Sequence, residues 1–247
     1  MRNKNLLAYS PRAGAAGNSM KMKLIAGMGT ILWTLATLPV AGEVITRVAT
    51  QEKCVALTFD ACETKTPSWL DKTILDFVEK EQIPCTIFVS GKFAVRNRSE
   101  LQRISRYEFI RLENHSLNHF QHMEKLSDEA QKREILEAEK LVEEITGRKP
   151  IFFRFPAGNH DANALRVVQL LGYRVVHWTF PSGDPDRGET APKLTRWVVS
   201  KATPGSILIF HINGRGYHTG EALPGIVREL KGKGYRFVSL EELIRLR

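Results

Sequence analysis

Short apolar runs that lead into a polar or charged residue recur along this sequence, and they constrain its fold more than any other feature. Residues 55–59 lead into Asp60, residues 109–112 precede His115 and His119, and residues 207–210 lead into His211. Segments with helical periodicity separate the runs, which predicts an α/β fold with a parallel sheet wrapped by helices. Because parallel strands end at one edge of a barrel, these polar side chains are expected to meet there.

The two histidines at positions 115 and 119 are the most informative pair. On a helical turn, residues i and i+4 share one face, so two imidazoles at this spacing could bind one metal ion. An isolated pair of this kind is more often two surface or half-buried histidines. The polar residues that end the neighbouring strands favour the metal site.

Four motifs in order resemble those of the polysaccharide deacetylases, the NodB-homology family of carbohydrate esterases. They are T-F-D at residues 58–60, the histidine pair, R-F-P-A-G at residues 154–158 and the apolar strand that leads into His211. The resemblance extends from about residue 53 to about residue 243. It implies a distorted (β/α) barrel of about seven strands and a metal-dependent hydrolase that removes N-acetyl groups from glycans.

Hydrolysis of an N-acetyl amide needs a base for the attacking water, an acid for the departing amine and positive charge or N–H donors for the oxyanion. The resemblance implies that Asp60 is the base and that His211 is the acid. It makes His115 and His119 the metal ligands. Simpler explanations are a loop aspartate that caps a helix and a buried structural histidine.

Two further residues complete the catalytic set that the resemblance implies. Arg154 would orient Asp60 and keep it ionised at neutral pH. Asp184 matches the place where the family has an aspartate that pairs with this arginine. An ordinary surface arginine and a loop aspartate are the alternatives, and Pro185 stands where the family often has tryptophan.

Position 61 departs from the family pattern. The family usually reads T-F-D-D, whereas this chain has Ala61, and a methyl group cannot replace the second aspartate as a metal ligand. Zinc is the expected metal, held more weakly because catalytic zinc usually has three protein ligands. Glu63 could supply an oxygen, Asp60 could bridge, or water could complete the coordination.

The first 42 residues are predicted to be a signal peptide, with an uncleaved N-terminal anchor as the alternative. Lys21 and Lys23 precede an apolar run at residues 24–40, and Ala41 and Gly42 provide small residues for cleavage. The run is slightly short for a full membrane span. A mature domain of residues 43–247 is therefore expected to be secreted or periplasmic, with no membrane partner unless the leader is retained.

The net charge of +9 does not indicate nucleic-acid binding. The leader holds five basic and no acidic residues, which leaves 31 basic against 27 acidic residues from position 43 onward. No strip of interleaved aromatic and basic residues is present. The expected partner is an N-acetylated glycan: peptidoglycan, an N-acetylglucosamine polymer or a chito-oligosaccharide.

Three cysteines follow the leader, at positions 54, 62 and 85. In an oxidising compartment one disulfide and one free thiol are possible. Cys54 and Cys85 begin two predicted adjacent strands, so they could be close enough to bridge. Cys62 could instead be a buried or reactive thiol.

Two other functions compete with the deacetylase. One is a catalytically silent carbohydrate-binding barrel that lost activity with its third metal ligand. The other is a hydrolase of a different amide or ester, since a fold does not fix a function. The presence of Asp60, Arg154 and His211 together favours an enzyme, because a glycan-binding protein needs no acid and base.

Overall fold

The computed structural model describes residues 43–247, so the predicted leader lies outside the described residues. The strands are β1 (Val44–Ile45), β2 (Cys54–Ala61), β3 (Cys85–Val89), β4 (Ile110–Asn114), β5 (Phe152–Phe153), β6 (Arg174–Val176), β7 (Ser206–His211) and β8 (Arg236–Val238). The helices are α1 (Lys72–Glu81), α2 (Gly91–Arg96), α3 (Arg98–Ile104), α4 (Asp128–Thr146), α5 (Ala162–Leu170), α6 (Ala191–Lys201), α7 (Thr219–Gly232) and α8 (Leu240–Arg245). Among residues 43–247, no helix combines the length and apolar character needed to cross a bilayer.

The strands form one parallel sheet in the order β1-β6-β5-β4-β3-β2-β7. β7 lies along one side of β2, while β8 and β3 pair with successive parts of its other side. The two ends of the sheet are joined irregularly, because isolated bridges connect Arg47 to Ser206 and Phe180 to Leu208. The predicted distorted (β/α) barrel is confirmed.

The two faces of β2 separate the outer core from the interior of the barrel. Val55, Leu57 and Phe59 belong to a cluster that also contains buried residues of α1, α6 and α7. Since side chains alternate along a strand, Ala56 faces the other way and packs with residues of β3, β5, β6, β7 and α8. Asp60 shares that inner face, near the end of the strand.

Two of the helices begin where a side chain caps the backbone. Helix α1 begins after Asp71, whose carboxylate accepts from the backbone N–H groups of Thr73 and Ile74 at 2.9 and 3.3 Å. Ser127, rather than Asp128, caps α4. Helix α2 was not predicted.

The proposed Cys54–Cys85 disulfide is wrong. All three cysteines of the described chain are free and buried. In the register of the sheet, Cys85 lies opposite Leu57, three residues beyond Cys54. At about 3.3 Å per residue, this stagger separates the two cysteines by roughly 10 Å along the strands, which is too far for a disulfide.

Barrel closure depends on Gly205. Its backbone has φ +80°, and a Cβ atom there would overlap the carbonyl oxygen of Val48, whose N–H donates to the Gly205 carbonyl at 2.9 Å. Gly172, at φ +88°, has open space around its Cβ position and provides the matched control.

We expect Gly205→Ala to lower the free energy of unfolding by at least about 3 kcal/mol, or to prevent folding, because it adds a backbone clash to the strain. Gly172→Ala should lower the free energy of unfolding by only about 1–2 kcal/mol, the cost of placing alanine in a left-handed conformation. Urea unfolding of both variants measures the difference. Equal losses would show that closure at Val48 does not depend on Gly205.

Candidate active site

A buried ion pair lies at the carboxyl end of the barrel strands. Arg154 directly follows β5, and its Nη1 atom is 2.7 Å from Oδ1 of Asp60. The arginine side chain is fully buried and that of Asp60 is 7% exposed. The structure therefore brings together the predicted base and the arginine predicted to orient it.

Every side of the Arg154 guanidinium has a partner. Its Nη2 atom donates to the Thr58 hydroxyl and to the His177 carbonyl, both at 2.9 Å, and Nε donates to the Val176 carbonyl at 3.2 Å. Its central carbon lies 4.0 Å from the ring centroid of Phe88. These contacts fix the cation in one orientation beneath Asp60.

The charges around Asp60 keep it ionised. Burial alone raises the pKa of this carboxyl, but Arg154, His115 and His211 outweigh burial and lower it to about 2. A carboxylate with this pKa is ready to accept a proton at neutral pH, although it is a weak base.

The two histidines meet on an irregular loop rather than on a helical turn. Residues 115–120 follow β4 outside any helix, and Ser116 and His119 both adopt left-handed backbone conformations with φ of 64° and 54°. Asn114 Oδ1 accepts from the Ser116 N–H, and Ser116 Oγ accepts from the His119 N–H. The rings lie 4.8 Å apart between centroids, so the predicted proximity holds for a different reason.

Both rings have a buried nitrogen that fits a metal ion. His115 Nδ1 lies 2.8 Å from the Arg154 carbonyl, to which it donates, and this bond leaves Nε2 with its lone pair. Nε2 of His115 and Nδ1 of His119 are buried without a hydrogen-bond partner in the described chain. Burial lowers the pKa of His115, and burial together with His115 lowers that of His119 to about 3, so both stay neutral as ligands must.

A third protein ligand is missing from this arrangement. Residues 43–247 contain no group of three or more His, Cys, Asp or Glu arranged to hold a metal ion. The Glu63 carboxylate binds the Arg96 guanidinium with both oxygens and accepts from the Ser68 N–H. Ala61 is fully buried. The suggested role of Glu63 as a ligand is therefore not supported by its contacts.

His211 is bound to Asp184. The imidazole Nδ1 lies 3.0 Å from Oδ1 of Asp184, and the His211 backbone N–H donates to Oδ2 at 2.6 Å. The hydroxyls of Ser182 and Thr219 also donate to this carboxylate, each at 2.9 Å. The expectation that Asp184 pairs with Arg154 is wrong: Arg154 is already saturated, and Asp184 holds the predicted acid instead.

The aspartate favours the protonated form of His211. Burial lowers the pKa of the His211 imidazole, but the hydrogen bond and charge of Asp184 and the charge of Asp60 outweigh it and raise the pKa above its ordinary value. An imidazolium with one N–H fixed by Asp184 presents the other ring nitrogen as a proton donor.

Several residues of the site were missed from sequence. Thr58 binds Arg154 and donates to the Leu208 carbonyl at 2.6 Å. Its position two residues before Asp60 on one strand was an available signal, since such residues share a face. Ser182 lies two residues before Asp184 in the same loop. Thr219 carried no signal, because it begins α7 and is separated from Asp184 in the sequence by α6 and β7.

The geometry places the predicted base and the predicted acid on separate strands at one edge of a parallel barrel. A family model described as "Polysaccharide deacetylase" matches residues 47–176. A peptidoglycan-N-acetylglucosamine deacetylase of Bacillus cereus is 30% identical over 206 residues, which cover 83% of this chain and 94% of the relative. The chain belongs to the polysaccharide deacetylase family, as the sequence motifs predicted.

Solved structures agree with this assignment. The Bc1960 peptidoglycan N-acetylglucosamine deacetylase superposes with a TM-score of 0.74 at 25% identity, over 82% of this chain and 92% of that one. A pseudoenzyme of carbohydrate esterase family 4 from Bacillus anthracis superposes with a TM-score of 0.73 at 23% identity, over 82% and 69%. At 23% identity, the similarity to the pseudoenzyme supports only the fold.

The role of Asp184 can be tested by the pH dependence of turnover. Because Asp184 raises the pKa of His211, an acid at this position loses its proton as pH rises through that raised pKa. We expect Asp184→Asn to move the alkaline limb of kcat/KM to lower pH. Glu221→Gln removes an exposed carboxylate near His218 and should leave the limb in place. An unchanged alkaline limb in Asp184→Asn would show that the ionisation of His211 does not produce it.

Proposed function

We propose that the domain at residues 43–247 removes N-acetyl groups from peptidoglycan outside the cytoplasm. One observation carries this proposal: Asp60, paired with Arg154, and His211, paired with Asp184, lie beside two buried imidazoles, each with one buried nitrogen that lacks a hydrogen-bond partner. The peptidoglycan deacetylases that the chain resembles support the choice of substrate.

The base side of the reaction is organised by Arg154. It fixes Asp60 Oδ1 with a short hydrogen bond, which leaves Oδ2 toward His115 at 3.5 Å. A water placed between this carboxylate and the acetyl carbon gives its proton to Asp60 as it attacks. Because Asp60 is a weak base, that water must be acidified.

A divalent metal, zinc by the donor set, would be held by His115 and His119; when bound, it polarises the acetyl carbonyl and acidifies the water. The neutral state of both histidines suits this role. The absence of a side-chain donor at Ala61 implies a weaker site than one with three protein ligands.

The acid side of the reaction depends on His211 and Asp184. Collapse of the tetrahedral intermediate expels an amine, which leaves readily only after it is protonated. His211 donates this proton, and Asp184 holds the ring by the opposite nitrogen throughout. The base and acid therefore act from separate strands, β2 and β7.

The silent barrel remains the second candidate because no third ligand is present near the histidines in the described chain. It differs from the enzyme in one measurable result, the absence of acetate release.

Export to the periplasm or beyond is supported by the apolar leader and by the location of the wall polymer. N-terminal sequencing of native protein should find a start near Glu43, and an intact leader on cytoplasmic protein would contradict export.

Acetate release from peptidoglycan tests the proposed activity. Wild-type protein should release acetate, and Asp60→Asn and His211→Ala should each lower kcat by roughly 10²–10⁴-fold. Since Asp60→Asn leaves the Arg154 charge without its partner, circular dichroism must show that each variant is folded. Release at the wild-type rate by a folded variant would remove that residue from the mechanism, and no release by wild type would favour the silent barrel.

Zinc binding tests the metal ligands without relying on activity. In calorimetric titrations of chelator-treated protein, His115→Ala and His119→Ala should each weaken zinc binding at least roughly tenfold, a loss of about 1.4 kcal/mol. Glu63→Gln is the matched control, because its carboxylate binds Arg96, and it should leave the affinity unchanged. A loss in Glu63→Gln as large as that in the histidine variants would return Glu63 to the ligand set.

A further inference from the structure

The loop that follows β7 folds back over the active site. The Ile212 N–H donates to the Asp60 carbonyl at 3.1 Å. The Asn213 amide then donates to the Cys62 carbonyl at 2.5 Å and lies 3.2 Å from the Cys62 sulfur. The first residues of this loop are thus tied to the segment that follows Asp60.

Gly216 fixes the other end of the loop. A Cβ atom at this position would lie 2.5 Å from the His211 carbonyl oxygen and 2.6 Å from Asp184 Oδ2. The next residue, Tyr217, donates its N–H to the Asp184 carbonyl at 3.2 Å. The backbone of the loop therefore packs directly on the predicted acid and its aspartate.

Arg215 lies between these two fixed points. Its side chain is exposed, and its charge acts on the Cys62 thiol, which the Asn213 amide also contacts. The same charge opposes protonation of His211. Arg215 thus places a cation beside both halves of the catalytic site.

Arg215 differs from the other charged groups of the site in its ion pairing. The two carboxylates of the site are already paired, Asp60 with Arg154 and Asp184 with His211. Within residues 43–247, no carboxylate forms an ion pair with Arg215, in contrast to Arg96, which is bound to Glu63. Arg215 opposes the protonated form of the predicted acid and has no carboxylate partner in the described chain, so its charge is available to a carboxylate from outside.

We propose that Arg215 binds a carboxylate that the glycan carries next to the acetamido group being hydrolysed, so that the enzyme prefers anionic to neutral N-acetylated glycans. This inference rests on the proposed function. On a hexosamine ring the acetamido group at C2 is adjacent to C3, and a carboxylate linked through O3 would lie beside the reacting amide. A guanidinium matches a carboxylate with two parallel hydrogen bonds.

Two sources could supply this carboxylate in peptidoglycan. One is the lactyl group on O3 of N-acetylmuramic acid when no peptide is attached. The other is a free carboxylate of an attached stem peptide. Three substrates distinguish them: neutral N-acetylglucosamine oligomers, peptidoglycan strands without peptides, and strands with peptides.

The experiment compares these substrates in wild type, Arg215→Gln, Arg215→Lys and the control Arg187→Gln. Arg187 is another exposed arginine near the site, and its guanidinium stacks on Tyr217 at 4.5 Å. We expect Arg215→Gln to lower the ratio of kcat/KM for anionic over neutral glycan by about tenfold to a hundredfold, the effect of losing one or two charge-assisted hydrogen bonds. The loss should appear mainly in KM, Arg215→Lys should retain part of the preference, and Arg187→Gln should keep it.

The ratio cancels any effect of Arg215 on His211, because both substrates use the same acid. A preference lost on peptide-free strands identifies the lactyl carboxylate, and one lost only on peptide-bearing strands identifies the stem peptide. An unchanged ratio in Arg215→Gln overturns the inference while leaving the deacetylase intact. If wild type releases no acetate at all, the proposed function fails instead. In that case, calorimetric affinities for the same glycans test whether Arg215 binds the carboxylate. Equal affinities for anionic glycan in wild type and Arg215→Gln overturn the inference.

Discussion

The buried ion pair between Arg154 and Asp60 is the interaction on which the other contacts of the site depend. Burying two charges is expensive unless each is paired and hydrogen-bonded, and here Thr58 and the carbonyls of two consecutive residues complete the shell of the guanidinium. The Arg154 carbonyl in turn orients His115. One residue thus sets the charge of the base and the ring orientation of a predicted metal ligand. Removing either ion-pair partner would leave a buried charge, at a cost of about 3–5 kcal/mol.

The strands and the placement of Asp60, Arg154 and His211 could be predicted from sequence because both rest on short-range patterns. An apolar run fixes a strand, and the next polar residue then falls at the barrel edge. The histidine pair was predicted correctly as neighbours but through the wrong local structure, because nothing in a single sequence shows that Ser116 and His119 adopt left-handed conformations. Such conformations are held by the hydrogen bonds of Asn114 and Ser116, which depend on the folded loop.

Long-range pairings were the part that sequence could not supply. The carboxylate of Asp184 had two possible cationic partners, and the choice of His211 over Arg154 followed only once the partners of Arg154 were known. The same holds for Glu63, whose reach toward the histidines was argued from chain distance alone, whereas Arg96 on a helix that was not predicted binds it. The register of β2 and β3 excludes the Cys54–Cys85 disulfide in the same way. A stagger of three residues between adjacent strands cannot be read from the sequence spacing of the two cysteines.

Opposite pKa shifts at the two ends of the site favour the charged forms that the proposed base and the proposed acid need. Asp60 is held ionised by Arg154, and His211 is held protonated by Asp184, so their pKa values move apart in the direction that catalysis near neutral pH requires. Each charge also stabilises the other, since Asp60 raises the pKa of His211 and His211 lowers that of Asp60. Arg215 acts against this balance on the His211 side.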